Sequence, residues 1–126
     1  MLADVWRWAG SYRVRDTNIG VPWSHVGVSV EETIRDMNAQ VDSMPPDEVA
    51  IRFHHRLVSV HPFPNGNGRH ARLAADTLVV GLGEKAFTWG AGDGLVDAGP
   101  VREAYLGALR RADEGDIVPL LDLARS

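Results

Sequence analysis

Cysteine is absent from this 126-residue chain, which excludes disulfides, thiolate metal sites and a cysteine nucleophile. No stretch approaches the ~18 uninterrupted apolar residues that a membrane span needs. The opening Met1–Trp8 carries Asp4 and Arg7 among its apolar positions and does not read as a signal peptide. An excess of basic charge is also lacking: 13 Lys and Arg face 17 Asp and Glu, a net charge of −4. That balance argues against a general electrostatic nucleic-acid binder. Period-two alternation is nearly missing as well, which removes most β architectures. What remains is ordinary globular material, 44% hydrophobic and 24% charged, in a length that suits one domain over residues 1–126. These features together predict a soluble cytoplasmic protein with no membrane or nucleic-acid partner.

Along the chain, Leu2–Ala9 reads as one or two helical turns stopped by Gly10. Gly10–Gly27 reads as irregular chain or a short hairpin, punctuated by Gly20, Pro22 and Gly27. Ser29 followed by Glu32 predicts a capping box that opens a helix to about Met44, with Val30, Ile34, Met37 and Val41 on its apolar face. Pro45 and Pro46 then break the chain. The next helix runs from about Pro46 to Val60, and its apolar positions are too many for a surface helix, so it should be the central one. It must stop there because His61 precedes Pro62 and is pushed out of helical geometry. Further helices are predicted from Asn67 to Val80, from Pro100 to Ala112 and from Pro119 to Ala124, with a glycine-marked loop over 90–99. The fold class is all-α, a helical bundle with at most one small β-hairpin.

The segment His61-Pro62-Phe63-Pro64-Asn65-Gly66-Asn67-Gly68-Arg69-His70-Ala71-Arg72 carries the chemistry. It joins a helix end, a rigid proline turn, a glycine-rich loop and a new helix start. Gly66 and Gly68 allow positive φ and a close approach to a ligand. A loop of this kind entering a helix can aim several N–H groups at one anion. Arg69 and Arg72, at i and i+3, project from one face of the first turns. Cations there oppose the helix dipole, by a few tenths to ~1 kcal/mol each. A salt bridge from Arg72 to Asp76 is the structural alternative, but it has the weaker base-before-acid order and leaves Arg69 unexplained. A multiply charged ligand such as a nucleotide polyphosphate explains both. His61, at the mouth of this nest, caps a helix end; beside a phosphate cradle it also suits a general base. Zinc is disfavoured at His54, His55 and His70, because the first two are neighbours pointing roughly 100° apart on a helix. They read instead as core or supporting histidines.

The segment resembles the motif of the Fic family, HPFx(D/E)GNGRxxR. The likeness extends to Trp8-Ala9-Gly10-Ser11-Tyr12-Arg13, to Glu48–Gly83, and to Arg102, Tyr105 and Ala108 in a late helix. The run Arg52-Phe53-His54-His55-Arg56-Leu57-Val58 is similar to the subgroup called mobile mystery protein B. The resemblance implies a Fic-fold helical bundle with a hairpin flap, lacking the upstream N-terminal helix of that subgroup. It implies transfer of AMP from the co-substrate ATP, with Mg²⁺, onto a Ser, Thr or Tyr hydroxyl of a target protein. His61 would deprotonate the target; Gly66, Asn67 and Gly68 would hold phosphate oxygens; Arg69 and Arg72 would orient the β- and γ-phosphates; Phe63 would anchor the loop. A flap at Ile19–Val26 would receive the target by strand addition.

Asn65 departs from the motif, which has Asp or Glu there as the metal ligand. A carboxamide keeps an oxygen but lacks the charge hard cations favour, so weaker metal dependence or slower transfer is expected. Doc-like relatives phosphorylate a protein target, and a catalytically silent nucleotide-binding module is a further alternative. The inhibitory pattern (S/T)xxxE(G/N) has no match: Glu114-Gly115 comes nearest, but Arg110 stands where Ser or Thr belongs. The resemblance therefore implies a bacterial toxin–antitoxin arrangement with a separate inhibitory partner, or a truncated chain that forms homo-oligomers through Val5, Trp6 and Trp8. Delivery into a host or target cell is the alternative location. Tyr105 and Phe87-Thr88-Trp89 are candidates for an adenine wall, with Trp89 more simply a core residue.

Overall fold

The computed structural model describes residues 11–90 and 99–126. The helical turn expected over Leu2–Ala9 and most of the expected glycine loop lie outside the described residues. The chain forms two compact units, one ending at Glu84 and the other spanning Lys85–Ser126.

The first unit holds a 3-10 turn, Trp23–His25, and three helices: α1 (Val26–Gln40), α2 (Pro46–Val60) and α3 (Asn67–Gly81). Among the described residues there is no strand. Residues 11–22 take the irregular alternative and not the hairpin, because their backbone bonds run elsewhere. Arg13 N–H donates to the Pro62 carbonyl at 3.0 Å and Val21 N–H to the Val60 carbonyl at 3.4 Å, both at the end of α2. The next residue, Pro22, has no N–H with which to continue a ladder.

Helix α2 is the centre. Pro46 sits in its first turn with Asp47 and Glu48, which suit the positive end of the helix dipole. It buries Val49, Ala50, Ile51, Phe53, His54, Leu57 and Val60, and packs against both α1 and α3. Its contact with α3 is close because α3 presents Ala71, Ala74 and Ala75, all at most 1% exposed. Helix α1 starts three residues before the predicted capping serine. The 3-10 turn, closed by His25 N–H on the Pro22 carbonyl at 2.8 Å, feeds straight into it. Val26 and Val30 then bury against Val60, with Tyr12, Val21 and Ile34 packed around them. Ser29 is thus interior, its carbonyl accepting from Thr33 Oγ1 at 2.7 Å, and the capping box does not form.

His54 is fully buried in this unit and hydrogen-bonds the Ala71 backbone. Burial, with the nearby charges of Arg72 and His55, lowers its pKa to about 3. Its unfolded value lies near 6.5, so the unfolded chain gains a proton that the folded one refuses over the interval between. Stability therefore falls on acidification from pH 6.5 toward 3, at a slope of about 1.4 kcal/mol per pH unit for one proton. Urea midpoints at pH 7 and pH 4.5 test this: His54→Asn should flatten the difference, and an unchanged pH slope would refute the assignment.

The second unit contains α4 (Pro100–Asp113) and α5 (Val118–Ala124), both with a proline in the first turn as predicted. Thr88 and Trp89 N–H groups both donate to the Ala124 carbonyl, at 2.8 and 3.0 Å. Phe87, Trp89 and Tyr105 stack edge to face and are only 3–6% exposed. These rings form the core of this unit, so the core role expected for Trp89 holds.

Candidate active site

Helix α2 ends at His61, whose backbone is left-handed (φ 55°, ψ 61°) and whose N–H donates to the Leu57 carbonyl at 3.0 Å. The chain then turns through Pro62 and Phe63 into the core. Phe63 is 2% exposed, 5.7 Å from the Tyr12 ring and 4.8 Å edge-on to His70. Pro64, Asn65 and Gly66 lie on the surface. Gly66 takes φ +72° and is the N-cap of α3; a Cβ there would meet nothing nearer than His70 Nε2 at 3.5 Å, so conformation and not space calls for glycine.

Asn67 holds the loop. Its Oδ1 accepts from Phe63 N–H and its Nδ2 donates to the Phe63 carbonyl, both at 2.8 Å, and the side chain is buried. Both backbone groups of Phe63 are thereby satisfied without water. The amide of Asn67 thus faces inward, and what this residue offers an outside ligand is its backbone N–H. The N–H groups of Asn67, Gly68 and Arg69 belong to the first turn of α3, where helix geometry supplies no intrahelical acceptor. The first turn holds no acidic residue and no side-chain cap. Arg69 is exposed and Arg72 half-buried. Their charges reach the neighbouring histidines: Arg69 adds to the burial that lowers the His70 pKa, and Arg72 does the same at His54. The surface at the start of α3 is therefore positive, with aligned donors, and suits an anion.

His61 is partly buried, and burial first, then the charge of Arg13, pushes its pKa below the ordinary 6.5. The imidazole is held neutral at neutral pH and is able to accept a proton. Arg13 gave no sign of a role in the sequence beyond its place in the family resemblance. It is 2% exposed, and its guanidinium donates to the carbonyls of His61 (2.6 Å), Arg15 (3.0 Å), Val60 (3.2 Å) and Val21. Gly20 was marked only as a turn glycine, with no sign of its contact with His61. At φ +107°, its Cβ would fall 2.6 Å from His61 Cβ and 2.7 Å from the Val60 carbonyl. Both partners are distant in sequence, so no local pattern could have revealed them.

The expected metal ligand, Asn65, presents a neutral carboxamide, and among the described residues no group of three or more His, Asp or Glu side chains could hold a metal ion. That donor set does not by itself make a site for a hard divalent cation. Among the described residues, no helix is long and apolar enough to cross a membrane.

The sequence model of the Fic/DOC family matches residues 1–79, and the chain belongs to that family. It is 34% identical over 82 residues to the protein adenylyltransferase Fic of Drosophila mojavensis, covering 65% of this chain and 15% of that protein. It is 32% identical over 117 residues to the protein adenylyltransferase Fic of Nematostella vectensis, 86% of this chain and 25% of that one. A probable protein adenylyltransferase of Aquifex aeolicus is 38% identical over 78 residues, 60% of this chain and 21% of its own. The solved structure of Fic-1 from C. elegans matches with a TM-score of 0.73 at 25% identity, covering 99% of this chain and 39% of that one. The chain thus spans a quarter or less of these curated relatives.

Proposed function

We propose that this chain is a protein adenylyltransferase module that moves AMP from ATP to a hydroxyl of a target protein. The observation that carries the proposal is the joint placement of a neutral, partly buried His61 and the donor-rich, cationic start of α3 on one short, core-anchored loop. Similarity to proteins named protein adenylyltransferase supports it.

In this mechanism the target hydroxyl oxygen attacks the α-phosphorus and its proton passes to an imidazole nitrogen of His61. The oxygen–phosphorus bond forms as the bond to the β-phosphate oxygen breaks, and pyrophosphate leaves. The N–H groups of Asn67, Gly68 and Arg69, with Gly66 allowing close approach, hold phosphate oxygens. Arg69 and Arg72 offset the charge that builds on the leaving pyrophosphate. The chemistry is positioning and charge stabilisation. Mg²⁺, where bound, would supply further charge neutralisation, with Asn65 offering one neutral oxygen. The target docks along the segment Ile19–Val26, where Ile19 and Trp23 are exposed, and restraint comes from a separate inhibitory protein.

Two other readings stand beside it: a Doc-like phosphotransferase, from relatives that phosphorylate a protein target, and a silent nucleotide-binding module, which Asn65 favours. Incubation with a target-containing lysate and ATP labelled at the α or the γ phosphate separates them, with His61→Ala as control. Label from α alone is expected; label from γ alone would indicate phosphorylation, and label from neither would support the silent module. Asn65→Asp should raise the rate at low Mg²⁺ by about tenfold, since an anionic oxygen binds a hard cation far better than an amide. A Mg²⁺ titration identical in both proteins would remove position 65 from metal binding.

A further inference from the structure

We propose that Arg13 is the positioning residue of this site: its buried guanidinium fastens the carbonyls at the end of α2 and so holds His61 in the backbone conformation that sets its side-chain direction. The last carbonyls of a helix have no intrahelical partner, and a cation is favoured at that negative pole. Arg13 meets both needs from a position 47 and 48 residues away, through Nη2 to the Val60 carbonyl and Nε to the His61 carbonyl. The same fork holds the carbonyls of Arg15 and Val21, so the arm between them is fixed to the base of the loop. The four acceptors named are carbonyl oxygens, and charge-assisted bonds of this kind are the strong ones.

His61 needs such a clamp. A non-glycine residue in the left-handed region persists only where its surroundings over-determine it. Two residues do so here. Arg13 holds the His61 carbonyl, and its own backbone N–H donates to the next carbonyl, that of Pro62, at 3.0 Å. Gly20 packs close beside both, so that a methyl group there would come within 2.6 Å of His61 Cβ and 2.9 Å of Arg13 Nη2. The charged group identified beside the imidazole is Arg13 itself. Lysine cannot replace it, because a single ammonium on a flexible stem lacks the planar fork that spans several carbonyls.

The effect on transfer rests on the proposed adenylyl transfer; the effect on His61 does not. The full chain is compared with Arg13→Lys, Arg13→Met, Gly20→Ala and the control Arg56→Met, which breaks only the exposed pair with Asp36. NMR shifts of His61 Cα and Cβ report its backbone conformation, and its ring protons report its titration. In Arg13→Lys and Gly20→Ala the shifts should leave the left-handed range, and transfer should fall at least about tenfold with the KM for ATP within about twofold. In Arg13→Met the His61 titration midpoint should also rise, because a neighbouring cation is gone. Arg56→Met should match the parent in all three. His61 shifts unmoved in both Arg13→Lys and Gly20→Ala would overturn the proposal, as would equal changes in Arg56→Met. Should Arg13→Met fail to fold, the lysine and Gly20→Ala proteins carry the test. A parent protein that transfers nothing refutes the enzymatic proposal, and the His61 shifts then decide the role of Arg13 alone.

Discussion

His61→Ala should lower adenylyl transfer by about 10²–10⁴-fold, the usual contribution of a general base, while nucleotide affinity changes by no more than about twofold. The split follows from the geometry. The imidazole stands at the end of α2, and the donors proposed for phosphate begin six residues later at the start of α3. Removing the ring takes away the proton acceptor and leaves Gly66, Gly68 and both arginines as they were. The pH profile provides a second check. Burial and the Arg13 charge both disfavour the protonated ring, so the acid limb of kcat/KM should lie below pH 6.5. Above it the base is neutral and the rate is flat; below it protonation removes the acceptor and the rate falls tenfold per pH unit for one ionisation. A His61→Ala protein that transfers at the parental rate, or an acid limb above pH 7, would exclude His61 as the base.

Asn67→Ala should destabilise the first unit by about 2–6 kcal/mol and weaken nucleotide binding together with transfer. The truncated side chain leaves the N–H and the carbonyl of Phe63 without their acceptor and donor, in a residue only 2% exposed. Each orphaned buried group costs about 1–3 kcal/mol. Asn67→Asp is the sharper variant, because its carboxylate still accepts from the Phe63 N–H but faces the Phe63 carbonyl with no proton to give and adds a buried charge. Denaturant unfolding and calorimetric nucleotide binding measure the two effects. A stable Asn67→Ala protein with parental affinity would mean that the loop stands without its clasp.

Much of this was legible in the sequence because the deciding signals are local. Pro46 and Pro100 announce helix starts through their fixed φ, and His61 before Pro62 announces a stop. The glycine pair and the two arginines mark the cationic turn at the start of α3 in the same way. The start of α1 was misread because Ser29 and Glu32 satisfy a capping pattern that lost to the burial of Val26 and Val30 against Val60. The hairpin was misread because the acceptors for residues 13 and 21 lie at the end of α2, a pairing invisible along the chain. Asn67 was placed in the binding loop, yet nothing in its neighbours disclosed that its amide turns inward. Arg13 and Gly20 act across more than 40 residues, and only a folded chain reveals them.

The loop that would handle phosphate is also part of the hydrophobic interior, through the buried ring of Phe63 and the amide beneath it. Evolution of such a protein has little freedom to retune the two independently. New specificities should accumulate at the outward positions 64, 65 and 69, where side chains face water, while positions 63 and 67 stay fixed for the sake of folding whatever reaction the surface comes to perform.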